Sequence, residues 1–133
     1  MTDVLSSKKL PSVGPFDLDV ILIDDPDTMP EDSECYSAED IAAWENDDWH
    51  FVSAVVRVRL SSGHGNILAS SYMGGMEYGD WTDGKFLDPL ELDVNGYLPQ
   101  MVEEAVELAW EVVRSTVVAF QIAMKQAPSC YAL

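Results

Sequence analysis

The run WHFVSAVVRVRL, residues 49–60, constrains the fold more than any other part of the chain. Val52, Ala54, Val56, Val58 and Leu60 fall on one side of an extended backbone, and Phe51, Ser53, Val55, Arg57 and Arg59 on the other. A period of two is what a strand with one face on a core requires. The turn-forming SSGHGN comes next and ILASSYMGG after it, so the spacing predicts an antiparallel β-hairpin over residues 49–73. A hairpin alone cannot hide an apolar face; further strands or a helix must lie across it.

Both are available in the sequence. PFDLDVILID sets Phe16, Leu18, Val20 and Leu22 on one face of a strand that Pro26 and Pro30 then interrupt. CYSAEDIAAWEND predicts a short helix near 38–46, with Ser37 as N-cap and Asp40 closing a capping box. Residues 76–96 read as an ordered loop holding one short strand near Phe86–Leu92. From Tyr97 to about Gln126, Leu98, Val102, Ala105, Ala109, Val112, Thr116, Phe120 and Ala123 recur at intervals of three or four, which predicts a long amphipathic helix near 97–126. Its first turn is expected to carry Glu103 and Glu104 and its end Lys125, as the helix dipole favours. Such a helix is about 45 Å long, more than a small sheet covers. It must bend near Ser115–Thr116, or its C-terminal half must pack elsewhere, for example on a second copy. The polar residues 1–14 read as a flexible arm, leaving 15–133 as one α+β domain. The expected sheet is short and antiparallel, with about three strands and the hairpin at its centre.

Charge narrows the partners. The chain carries 24 acidic against seven basic residues, a net charge of −17. Residues 21–49 alone hold eleven carboxylates and no Lys or Arg. That excess repels nucleic acid and anionic membrane and favours rapid, salt-sensitive association with basic surfaces. The few cations are scattered, which argues against direct nucleic-acid binding. The apolar runs are too short or too interrupted to span a bilayer. MTDVLSSKKLPSVGP lacks the apolar centre of an export signal, and Cys35 and Cys130 lie far apart, so a reduced, cytoplasmic setting is expected.

Catalytic and metal signatures fail one by one. An EF-hand loop begun at Asp25 would put Met29 at its fifth and Pro30 at its sixth position, where an acid and a glycine are needed. His50, His64, Cys35 and Cys130 have no paired zinc-ligand spacing. Ser70–Ser71 lacks the G-x-S-x-G turn, and YMGGMEYGDW lacks a phosphate loop's lysine. The expectation is a protein that is not an enzyme and takes no cofactor or metal.

The carboxylates themselves are then the candidate binding groups. Asp24, Asp25, Asp27, Glu31, Asp32, Glu34, Asp47 and Asp48 precede the hairpin, Asp80 follows it, and Glu103, Glu107 and Glu111 recur every four residues on the long helix. Like charges at that spacing repel, a small cost that a chain bears for solubility alone or that contact with a cationic surface would offset. Trp44, Trp49, Tyr78 and Trp81 are candidate apolar anchors among them, because Trp and Tyr are enriched at interfaces; the other reading of YMGGMEYGDW is a strand end whose aromatics, Tyr78 and Trp81 included, complete the core. The run SAEDIAAWENDDWHFVSAVVRVRL…ILASSYMGGMEYG, with YLPQMVEEAVELAWEVV after it, resembles short acidic accessory proteins of phages and mobile elements. That resemblance implies an inhibitor of the anti-CRISPR or anti-restriction type, in which carboxylates stand in for phosphates on a basic nucleic-acid-binding surface. The alternative is a protein-binding module or homodimeric scaffold, such as an immunity protein or antitoxin, using the apolar residues Val112, Val113, Val117, Val118, Phe120 and Ile122.

Overall fold

The computed structural model describes residues 3–63, 65–91 and 96–128; His64 and Cys130 lie outside them. Five strands, β1 (Val4–Val13), β2 (Phe16–Asp24), β3 (Trp49–Leu60), β4 (Ile67–Asp80) and β5 (Phe86–Leu87), form one antiparallel sheet in chain order. Helix α1 (Ala38–Glu45) lies between β2 and β3, and α2 (Tyr97–Lys125) follows β5. The class is α+β, as the pattern predicts, but the sheet has five strands where about three were expected.

Two strands account for the difference. Residues 4–13, read from sequence as an arm, pair with β2 through partners such as Lys8↔Val20 and Leu10↔Leu18. Leu10 is the one buried side chain of β1, so the backbone ladder holds this strand and no side-chain alternation advertises it. Its Lys8, Lys9 and Pro11 are edge residues that discourage further pairing. The other is β5, where the short strand expected near Phe86–Leu92 spans two residues, against Gly79 and Asp80. β4 also runs to Asp80, beyond the expected end of the hairpin. It does so through a bulge: Val52 pairs with Met76 but Ala54 with Met73, which leaves one extra residue at Gly74–Gly75.

The core lies on the even-numbered face of β3. Phe16, Leu18, Val20 and Leu22 of β2 meet Val52, Ala54, Val56 and Val58 there, under Met101, Ala105 and Ala109 of α2. Ala105 and Ala109 are fully buried, and their small side chains let the helix lie close on β3 and β4. Ser71 Oγ donates to the Met101 carbonyl at 2.8 Å, and Trp110 meets Phe16 edge-on at 4.9 Å. The helix is continuous from Tyr97 to Lys125, and its first turn holds no acid, so Glu103 and Glu104 stand a turn further in than expected. Every residue from Arg114 to Gln126 is exposed, and α2 runs off the end of its own sheet.

Candidate functional site

The segment between β2 and β3 packs on the Trp49–Phe51 end of the odd-numbered face of the sheet. Ser37 caps α1: its Oγ accepts from Asp40 N at 3.1 Å, while Asp40 Oδ2 accepts from Ser37 N at 3.0 Å. The Ser37 bonds, backbone first, hold the Asp40 carboxyl below its ordinary pKa against the upward push of burial. This short helix delivers the Asp40 carbonyl to Trp49, whose Nε1 donates to it at 2.9 Å. Trp49 then anchors a second, aromatic core. Its ring lies 4.9 Å from Trp81, 5.0 Å from Phe51 and 5.5 Å from Tyr36, which stacks on it. Tyr36 Oη donates to Glu77 Oε1 at 2.8 Å; burial first, then this carboxylate, push the phenol pKa upward.

Asp25 ties the same segment to the bulge. Its Oδ2 accepts from Thr28 Oγ1 at 2.7 Å and from Gly75 N at 2.9 Å. Burial is the largest single influence on this carboxyl and raises its pKa, but the bonds from Thr28, Gly75 and Asp27 together outweigh it and hold the value low. A Cβ on Gly74 would lie 3.0 Å from Tyr72 Oη and 3.1 Å from Asp25 Oδ2, so glycine there lets the strand approach the carboxylate. On the neighbouring part of this face Arg57 grips Asp19 with two bonds, at 2.8 and 2.6 Å, and Arg59 adds a third at 3.4 Å. The Arg57 bond is the main reason the Asp19 carboxyl is held low.

These placements correct two of the sequence assignments. Trp49 is fully buried and Asp25 is 8% exposed, so neither side chain faces a partner. Both are structural, one as the centre of the aromatic core and one as the acceptor that pins the bulge. Trp81, Tyr78 and Trp44 are half-buried; Trp81 completes the aromatic core, and Tyr78 packs between His50 and Phe86. Asp24, Asp27, Glu31, Asp32, Glu34, Asp47, Asp48 and Asp80 are exposed, as are Glu103, Glu107 and Glu111. The two acidic groups do not share one surface. The 24–48 group flanks the odd-numbered face, and α2 carries its glutamates on the even-numbered side, with the sheet between them.

Within the first group, Asp24, Asp25, Glu45 and Asp47 line an open cleft of about 400 Å³ with Trp44, His50 and Phe51. Asp24 lies 3.9 Å from His50 Nε2; among the described residues no Lys or Arg forms an ion pair with any acid of 24–48. Nor, among them, do three or more His, Cys, Asp or Glu side chains gather closely enough to hold a metal ion. No described helix is long and apolar enough to cross a membrane.

The distal half of α2 is the other candidate surface. Val117 is 47% exposed, Phe120 67% and Met124 48%, with Val118 and Ile122 also open. Beside them a groove of about 520 Å³ runs between β4 and α2, lined by Leu68, Ala69, Leu108, Val112 and Thr116. Sequence reading named most of this stripe but missed Leu108 and Met124. The missing signal is the helical stripe followed past Phe120: Met124 lies four residues on, in the same row. It also missed Thr28 and Gly75 as partners of Asp25. An acid three residues before a Thr is a local bonding pattern that could have flagged the first; the second, fifty residues away, leaves no local trace.

No protein-family model, curated protein or solved structure matches this chain.

Proposed function

We propose that this chain acts by binding protein, with the distal half of α2 as its main docking surface. One observation carries the reading. The row of side chains that packs on the sheet through Val113 continues as Val117, Phe120 and Met124, which are roughly half or more exposed. Scattered surface apolar residues need no explanation, but a contiguous apolar face on a projecting helix marks an interaction site. A helix in groove or helix pair is the mode such a stripe serves. A photo-crosslinking residue placed at Phe120 in cells tests this against one at Gln100, exposed on the same helix. Protein adducts from position 120 and not from 100 are expected; equal or no adducts refute it.

A second reading, from a separate observation, concerns the exposed acids Asp24, Asp27, Glu31, Asp32, Glu34, Asp47 and Asp48. We infer that they meet a basic protein surface, of the kind with which a CRISPR effector or restriction enzyme holds phosphate. Its support is that these carboxylates point outward without a lysine or arginine partner among the described residues. Their association with such a surface should weaken steeply with salt. Asn at Asp24, Asp47 and Asp48 should reduce inhibition of the target complex; inhibition unchanged by that substitution and by salt refutes this reading while leaving the first intact.

A further inference from the structure

We propose that the distal half of α2 pairs antiparallel with the same segment of a second copy of this chain, about a two-fold axis near Val117–Val118. The inference rests on the preceding reading of that segment as a docking surface and names its occupant.

Charge selects the occupant and the direction. In a chain of net charge −17, residues 112–133 contain no Asp or Glu side chain, and α2 has Arg114 and Lys125 there. Glu103, Glu104, Glu107 and Glu111 fill its first half. The helix is therefore acidic and then basic along its length. Parallel pairing would set like charge on like and bring two strongly acidic bodies side by side. Antiparallel pairing puts the bodies at opposite ends and opposes the two helix dipoles favourably. Val118 is equidistant in sequence from Glu111 and Lys125, so an axis there sets Lys125 of each copy at the level of the Glu111 turn of the other.

Geometry agrees. Residues 113–126 extend about 20 Å at the helical rise. Overlapping two such segments brings the end of each helix to the groove of the other copy, lined by Leu68, Leu108 and Val112. The exposed stripe supplies part of the roughly 800 Å² per partner that a standard interface buries. The two grooves add to it, and the dimer forms in a concentration-dependent way.

The test uses the full chain. Sedimentation over a wide concentration range should give the mass of two copies, dissociating on dilution. Val117→Glu and Phe120→Glu should each lower dimer affinity roughly thirtyfold or more, as an interface centre does, with near-ultraviolet circular dichroism unchanged. Arg114→Glu with Lys125→Glu should also weaken the dimer, and adding Glu107→Lys with Glu111→Lys in the same chain should restore it. A dimer indifferent to both charge changes overturns the antiparallel arrangement. A wild type monomeric at every concentration overturns the second copy as occupant. If that monomer binds a hydrophobic dye and Phe120→Glu abolishes the binding, the docking surface stands with another occupant; without dye binding, both readings fall.

Discussion

Replacing Asp25 by alanine separates a structural carboxylate from the acids around it. Asp25 Oδ2 accepts from Thr28 Oγ1 at 2.7 Å and from the Gly75 amide at 2.9 Å, across fifty residues of chain. A hydrogen bond to a charged group contributes roughly 1.5–3 kcal/mol. The Gly75 amide can recover water because Gly75 is exposed, so the two bonds together are worth about 3 kcal/mol rather than their full sum. With a urea slope of about 1.5 kcal/mol per molar, the unfolding midpoint should fall by about 2 M. Asp25→Asn keeps one acceptor and should lose about half as much. Asp27→Ala, on an exposed neighbour, should lose nothing and gain slightly from reduced repulsion. Because the folded-state pKa of Asp25 is depressed, its contribution is complete above the unfolded value of about 3.9 and is lost as pH falls through the folded one. The gap between wild type and Asp25→Ala should therefore close in acid. A loss equal to that of Asp27→Ala at neutral pH would refute the account of the bulge as pinned by this carboxylate.

Three further outcomes follow from the same structure. Trp49→Ala removes the fully buried centre of the aromatic core and should cost about 3–5 kcal/mol in urea unfolding, while Phe120→Ala, 67% exposed, should leave the midpoint of dilute protein within about 0.5 kcal/mol. Gly79→Ala should cost about 2 kcal/mol or more, since Gly79 has φ +124° and a Cβ would lie 2.6 Å from the Asp48 carbonyl oxygen; thermal unfolding reads it. Raising salt should raise the melting temperature of the wild type, because screening relieves the repulsion of a −17 chain. A melting temperature that falls in moderate sodium chloride would mean that the surface acids are paired after all.

The elements read most directly from sequence are those whose signal is local. The alternation of 49–60 is β3, the Ser37–Asp40 pattern caps α1, and the stripe from Leu98 is α2. β1 left no such signal. Its polar side chains lie at an edge with one buried residue, and its partner is a ladder of backbone groups that side-chain identity does not encode. The candidate binding surfaces divide in the same way. Composition marks the acids, but burial decides which of them are free, and Asp24 and Asp25 are adjacent in sequence with opposite fates.

By itself, then, the sequence determined the periods, caps and turns of the main elements, the α+β class and the segregation of charge along α2. These depend on neighbours a few residues apart, where helix and strand geometry is fixed. The tertiary structure alone decided that residues 4–13 complete the sheet, that Trp49 and Asp25 turn inward, and that the last turns of α2 outrun the surface they would cover. Each of these depends on where a distant segment ends, and that is set by packing across the sheet.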